Sequence, residues 1–283
     1  MLNQELFIEF LRVYAFQPAT AFWRAVEVDV LRKFIPTSGV CLDLGCGDGK
    51  LTSILFGNIT ATGLTIVGID GDENETQRAA QFHFYARIHT CLASNIPEDA
   101  ESFDCVISNS VLEHIKDIEA VIAEVARLLK AGGTFIFTVP SPGFHQCLYG
   151  PFNSRASRET YLQEMDRRLA HLYYWSAGEW KQTLAQHGLI IEHQVEYFNL
   201  HEAQRWESIS RFTAGILYAM GGNKNAPIEI QRKMGLRQAQ NTFALPVWAA
   251  QLLAKLFSAN IKEQTQKQNA CLLISARKET RNR

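Results

Sequence analysis

The sequence has no Cys-x-x-Cys pair among its six cysteines, so it lacks the spacing on which zinc ribbons and redox dithiols are built. Cys41, Cys105 and Cys271 stand in short apolar runs that read as buried strands, which argues against disulfides and against a metal site. No stretch reaches the roughly 18 uninterrupted apolar residues of a membrane span. Internal repeats and low-complexity tracts are absent. With 47% hydrophobic and 20% charged residues, the 283-residue chain has the composition of a folded soluble protein. The opening stretch, MLNQELFIEFLRVYAF, carries Glu5 and Glu9 and lacks the basic lead-in of a secretory signal, so a cytoplasmic protein is expected.

Net charge is scarce too, with 28 Lys and Arg against 29 Asp and Glu. The balance hides an asymmetry, because residues 221–283 hold eleven basic residues and three acidic ones. Such an end suits an anionic substrate, a lipid surface or a plain solvated face. No reader motif accompanies it, and no nucleic-acid partner is expected.

What is present is a rhythm. Apolar residues at helical spacing through Leu6, Phe10 and Val13, then Phe22, Val26 and Val30, predict two helices divided near Gln17-Pro18. After them β-branched runs alternate with helical stretches: VCLDL (40–44), a helix near 50–57, LTIVGI (64–69), a helix over 74–84, RIHTCL (87–92), FDCVIS (103–108), a helix near 117–129, and GTFIFTV (133–139). This is the pattern of an α/β fold, a Rossmann-like doubly wound sheet of about seven strands. Ser176 and Glu179 have capping-box spacing ahead of a helix that Gly188 ends, and strands LIIEHQVEYF (189–198) and ACLLISAR (270–277) follow. The interval between those strands is too long for a hairpin loop and holds apolar helical stretches around 209–220 and 247–257. The expected organisation is an N-terminal helical cap (1–38), a sheet domain (39–198 with 269–283), and a helical insertion or lid (199–268).

The stretch VCLDLGCGDGKL (40–51) carries the chemistry. A strand–glycine–helix turn at the carboxyl edge of a parallel sheet is where such sheets bind ligands, since glycines let a ligand approach the main chain. A dinucleotide fingerprint needs G-x-G-x-x-G/A, but counted from Gly45 the third position is Lys50. Asp43 beside the loop repels phosphate and suits a ligand bearing an ammonium group. S-adenosylmethionine has that group and no phosphate. Asp70, ending the second strand in VGIDGD, is placed to accept ribose hydroxyls.

These residues resemble the class I S-adenosylmethionine-dependent methyltransferases, in particular the small-molecule group with a D-L-G-C-G-x-G loop. The likeness rests on VCLDLGCGDGKL, IVGIDGD, IPEDAESFDCVISNSVLEHIKD (96–117) and LLKAGGTFIFTVPSP (128–142). It implies that Asp43, Gly45, Cys46 and Gly47 line the methionine end of the cofactor, Asp70 and Gly71 its ribose and adenosine side, and Asn109 with Val111 the wall beyond the fourth strand. One position departs from the pattern: where members often carry an acid that accepts from the adenine amino group, this chain has Leu92. Ser94, Asn95 or the backbone around Ile96 must then hold the base.

Methyl transfer from a sulfonium draws much of its rate from holding the acceptor in line, and a hydroxyl acceptor also needs a proton acceptor. By the resemblance His114, in VLEHIKD, faces the substrate cavity and is the candidate base. His145, Tyr149, His171, Tyr173 and Tyr174 are weaker candidates. The expected activity is methylation of a small-molecule or lipid-like acceptor, at oxygen or carbon, with S-adenosylhomocysteine as product. Two alternatives stand beside it: a non-catalytic S-adenosylmethionine-binding module and, on the two acids and the strands alone, an NAD-dependent oxidoreductase. The helix predicted to start near Pro246 places Gln251 and Lys255, then Ser258 and Lys262, on one narrow stripe and leaves the rest apolar. That wide apolar face either packs on the sheet domain or on its neighbour in the insertion as a roof, or makes peripheral contact with a membrane.

Overall fold

A computed structural model describes residues 2–57, 63–152, 157–213, 244–258 and 268–280. The chain divides into two compact units, one comprising Val30–Ser141, Tyr173–Glu196 and Cys271–Arg283, the other Met1–Asp29, Pro142–Leu172 and Tyr197–Ala270.

The first unit is organised by a seven-stranded sheet in the order β3-β2-β1-β4-β5-β7-β6. Its strands are β1 (Gly39–Leu44), β2 (Leu64–Asp70), β3 (Tyr85–Thr90), β4 (Phe103–Asn109), β5 (Leu129–Pro140), β6 (Leu189–Asn199) and β7 (Asn269–Lys278). Strands β3 to β5 run parallel and β7 is antiparallel to β5. The inner strands are buried on both faces, which is why they read as continuous apolar runs rather than alternating ones. Helices α3 (Lys50–Gly57), α4 (Glu73–Ala79), α5 (Ile118–Leu128) and α8 (Ala177–Gln186) belong to the same unit. Its core includes Leu42, Val67, Val106, Phe137 and Trp180. The strand order reverses between β1 and β4, so the carboxyl ends of these two strands form the crevice in which open sheets bind ligands.

The segment read as a helix over 74–84 stops at Ala79. The chain turns there through Gln81 and Phe82, whose N–H groups donate to Arg78 and Ala79. The turn brings Tyr85 into register with Ile66, so β3 starts two residues earlier than its apolar run predicts. The capping box at Ser176 and Glu179 forms as the spacing requires.

In the second unit lie α1 (Gln4–Val13), most of α2 (Pro18–Leu31), α6 (Gly143–Cys147), α7 (Arg158–Leu169), α9 (Leu200–Phe212) and α10 (Val247–Ser258). The helical stretch expected over 209–220 lies outside the described residues beyond Thr213. Trp23, Phe144, Phe198 and Trp206 form an aromatic cluster. A second knot is polar. The fully buried Glu207 accepts the N–H groups of Tyr149 (2.6 Å) and Gly150 (3.3 Å), the Tyr161 hydroxyl, and Arg211 at 2.6 Å, while Arg211 also donates to the Gly150 carbonyl. Among the described residues no helix is long and apolar enough to cross a membrane.

Removing one partner of a buried pair strands the other, at a cost of about 3–5 kcal/mol. Glu207→Ala should therefore lower the unfolding free energy by about 3 kcal/mol in chemical denaturation. Glu207→Gln should lose somewhat less: Tyr149 and Gly150 donate to different oxygens, so the single amide oxygen keeps one of the two acceptor positions. Unchanged stability in Glu207→Ala would mean that the carboxylate and its hydrogen bonds do not hold the 149–150 loop.

Candidate functional site

At the carboxyl end of β1 the chain must reverse from strand to helix within a few residues. It does so through Gly45 (φ +80°), Gly47 (φ +53°) and Gly49 (φ +75°), all in the left-handed region. Gly45 has no room for a side chain: a Cβ there would lie 2.4 Å from a Val111 methyl carbon. At Gly47 nothing lies within 4 Å, which leaves its backbone open to a ligand.

The loop's N–H groups point inward. Those of Gly45 and Cys46 both donate to the Ile69 carbonyl at 2.9 Å, and that of Gly47 donates to Asp70 Oδ2 at 2.9 Å. Asp48 caps the following helix by accepting the Lys50 N–H and pairs with Arg78 at 3.0 Å. A phosphate-binding loop needs free N–H donors and an unoccupied helix N-terminus. Here the N–H groups of Gly45, Cys46 and Gly47 are committed and an acid holds the helix end.

Two carboxylates flank the loop. Asp43 is buried and accepts the Thr52 hydroxyl (2.7 Å) and the Tyr85 hydroxyl (2.5 Å), both at Oδ2. Among the described residues no donor reaches Oδ1, so one oxygen is left for a cation or donor from outside. Burial pushes the Asp43 carboxyl up to about 6, against the opposing pull of the two hydroxyls. Asp70 is half-buried and accepts the Gly47 N–H on one oxygen and the Asp72 N–H, at 2.9 Å, on the other. Each oxygen keeps a lone pair, enough for two hydroxyls. Burial raises this carboxyl as well, with the two N–H groups acting in the opposite direction. Cys46 is buried, and burial pushes its thiol far up, so it is no nucleophile. A ligand carrying an ammonium and a diol, and no phosphate, fits this set.

Beyond β2 the chain is tied to the site by the Cys91 N–H, which donates to the Asp70 carbonyl at 3.0 Å, while a Cβ on Gly71 would sit 4.0 Å from the Cys91 carbonyl. The following turn exposes Leu92, Ser94 and Asn95. Ile96 is buried, and its N–H donates to Glu124 at 2.7 Å while its carbonyl accepts from Arg127 at 3.1 Å. Its backbone groups are thus engaged within the protein, and the polar side chains available on this side are Ser94 and Asn95.

At the end of β4 the Asn109 amide oxygen accepts the Thr138 hydroxyl at 2.8 Å. Val111 then packs on Gly45 and leads into a 3-10 turn, Leu112–His114. The turn is braced by the Tyr173 hydroxyl, near the Leu112 carbonyl (2.5 Å) and the Ile115 carbonyl (2.9 Å). Glu113 is buried, whereas His114 is 38% exposed with Nε2 4.0 Å from Glu113 Oε1. In the other unit His145 Nε2 lies 2.7 Å from Asp166 Oδ1, and the His171 ring meets the Phe144 ring edge-on. The structure therefore gathers Asp43, Gly45, Cys46, Gly47, Asp70, Gly71 and Val111 around one loop. Thr52 and Tyr85, which hold Asp43, are site residues that the motifs do not contain. Thr52 at the start of the helix after the loop was within reach of local reasoning, but Tyr85 arrives from across the sheet.

The methyltransferase domain family matches residues 21–194, more than half of the chain. The chain belongs to the methyltransferase domain family. The mitochondrial ubiquinone biosynthesis O-methyltransferase of Rattus norvegicus is 37% identical over 113 residues, covering 36% of this chain and 31% of that protein. The malonyl-acyl-carrier-protein O-methyltransferase of Paenibacillus sp. (strain JDR-2) is 26% identical over 154 residues, 52% of this chain and 54% of its own. The matched stretch spans about a third of the length of the ubiquinone-type relatives. Among solved structures the cyclase SpnF aligns with a TM-score of 0.57 at 15% identity, over 95% of this chain and 84% of its own. An S-adenosylmethionine-dependent methyltransferase from Mesorhizobium loti aligns at 0.51 and 18%, over 88% and 96%. At such identities the structural likeness is one of fold.

The two glycines of this methyltransferase domain should respond differently to substitution. Gly45→Ala combines a strained backbone with overpacking against Val111 and should cost roughly 2–4 kcal/mol of stability, about 1 kcal/mol of which returns in the Gly45→Ala/Val111→Ala double variant. Gly47→Ala meets open space and should cost only the left-handed strain, about 1 kcal/mol. Thermal denaturation of the four proteins tests this, and equal losses without recovery would contradict the packing described.

Proposed function

We propose that the chain is an S-adenosylmethionine-dependent methyltransferase acting on a small-molecule or lipid-like acceptor. The observation that carries this reading is the glycine loop with its N–H donors turned inward between two carboxylates, Asp43 with one oxygen left over and Asp70 with acceptor capacity on both. The names of the relatives described above, O-methyltransferases of the ubiquinone and malonyl-acyl-carrier-protein types, favour oxygen over carbon as the atom methylated. Peripheral contact with a membrane through the helical insertion belongs to the same reading.

Bound at this loop, S-adenosylmethionine supplies an electrophilic methyl group on a sulfonium and departs as the thioether S-adenosylhomocysteine. In the proposed arrangement Asp43 Oδ1 neutralises the ammonium, Asp70 accepts the ribose hydroxyls, and Gly45, Cys46, Gly47 and Gly71 give the ligand access to the main chain. Ser94, Asn95 and the segment entering Ile96 border the base, and Asn109 and Val111 close the far wall. His114 takes the proton of a hydroxyl acceptor, and the buried Glu113 orients it. The loop geometry disfavours the NAD alternative, because a pyrophosphate finds neither free N–H donors nor an uncapped helix. A module that binds the cofactor without turnover is separated from the enzyme by the acceptor assay below.

Calorimetry should find S-adenosylmethionine bound with a Kd of about micromolar order. Asp70→Ala should weaken it by tenfold or more, roughly 1.4 kcal/mol for the lost hydroxyl contacts. Affinity should rise with pH through about 6, by up to roughly tenfold between pH 5 and 7, because only ionised Asp43 attracts the ammonium. Asp43→Asn should abolish that rise, and a flat profile in the wild type would remove Asp43 from the site.

For His114 the prediction is a split between binding and chemistry. His114→Ala should keep cofactor affinity within about twofold and lower turnover of a phenolic or other hydroxyl acceptor by about 100-fold, flattening the acidic limb of the pH–rate profile. Wild-type turnover across the pH series would leave positioning alone as the source of rate.

A further inference from the structure

Helix α10 is built inside out. Its buried residues are the small ones, Ala250 and Ala254, whereas Trp248 (70% exposed), Leu252 (64%) and Leu256 (63%) face solvent. Spaced four apart, these three side chains form one continuous stripe, flanked by exposed Gln251 and Lys255. The orientation is anchored at both ends against α1. The Leu245 N–H donates to the Arg12 carbonyl at 3.0 Å ahead of the helix, and the Ser258 hydroxyl reaches Gln4 at 3.4 Å where it ends. The apolar face expected to roof the fold is thus only partly used: the alanine side, with the half-buried Leu253 and Phe257, faces the protein, and Trp248, Leu252 and Leu256 do not.

A helix facing only water carries charge on that side. This one carries no acid and a tryptophan, a residue that favours surfaces apolar at one end and wet at the other. In the described stretch 244–258 the one charged residue is Lys255, beside the stripe. Two-fold pairing of this face with a second copy brings two positive charges and no acid of this helix into the contact. An anionic surface meets both the stripe and the charge.

We infer that α10 is a docking face for anionic lipid bilayers, with Trp248, Leu252 and Leu256 entering the interfacial layer and Lys255 meeting the head groups. The inference deepens the reading of a lipid-like acceptor and rests on it for its purpose: a surface-bound enzyme meets an acceptor dissolved in the membrane. The face itself does not depend on the cofactor chemistry.

Vesicle flotation of the full chain tests it, with phosphatidylcholine vesicles against vesicles containing about one-third phosphatidylglycerol. The floated fraction should be about tenfold greater on the anionic vesicles and should fall as salt is raised. Trp248→Glu/Leu252→Glu should lower it by about tenfold and Lys255→Glu severalfold. Calorimetric binding of S-adenosylmethionine, run on the same preparations, should be unchanged in these variants. It reports on the methyltransferase reading separately, so either reading can fail without the other. Absence of flotation, or flotation that the double variant retains, overturns the proposal. So does a dimer in gel filtration that the double variant dissolves, because the stripe would then be an interface between copies.

Discussion

Three backbone N–H groups turned back into the sheet decide the character of the site. By donating to the Ile69 carbonyl and the Asp70 carboxylate, Gly45, Cys46 and Gly47 stitch the carboxyl end of β1 to that of β2. The reversal this requires is available only with left-handed backbone at Gly45 and Gly47, and Val111 occupies the space that a side chain at Gly45 would need. With its donors committed, the loop offers a ligand bare main chain framed by acids. A similar-looking glycine turn whose N–H groups point outward binds phosphate. The difference lies in hydrogen-bond direction, and this arrangement suits a cationic, hydroxyl-bearing ligand better than a dinucleotide.

The same geometry places Asp43 under electrostatic tension. Burial raises its carboxyl from an ordinary value to about 6, so its ionised form is disfavoured in the folded, ligand-free chain. A carboxyl raised in the folded state contributes stability below its unfolded pKa, and that contribution is lost as pH rises through the folded value. At neutral pH the ligand-free protein therefore holds a carboxylate that the fold alone does not fully stabilise. The Tyr85 and Thr52 hydroxyls offset part of the deficit at one oxygen. In the proposed complex a bound ammonium would complete the pair and couple ligand binding to folding stability through this residue.

Much of this was legible in the chain. Apolar runs bounded by glycine located the strands, and the capping box at Ser176 and Glu179 fixed the start of α8, because both signals are local. Hydrogen-bond partners set by the sheet were not legible. Tyr85 reaches Asp43 only because the turn after Ala79 brings it into register with Ile66, a turn hidden inside a stretch with helical spacing. Glu124 and Arg127 engage the Ile96 backbone from a helix 28 and 31 residues away. The orientation of α10 was misleading for a related reason. Periodicity identified its apolar face, but which part of that face is buried depends on how closely α1 approaches, and the alanines permit the closest approach.

A shared sheet does not fix a shared reaction, since the cyclase SpnF aligns with this chain about as well as a methyltransferase does. In the proposed reading the carboxylates and the loop hold the cofactor, and what is done with it depends on groups at the end of β4. There the half-buried Tyr173 hydroxyl lies within hydrogen-bond reach of two carbonyls, those of Leu112 and Ile115, at a single 3-10 turn, a bracing that a mere connection between strand and helix does not require. The turn so held presents His114 at the surface with Glu113 buried behind it. Reacting groups must be held to within fractions of an ångström. In the proposed arrangement the bracing of this turn, set against the far more exposed Leu92–Asn95 segment, puts the positional demand on the acceptor's side of the site rather than on the adenine.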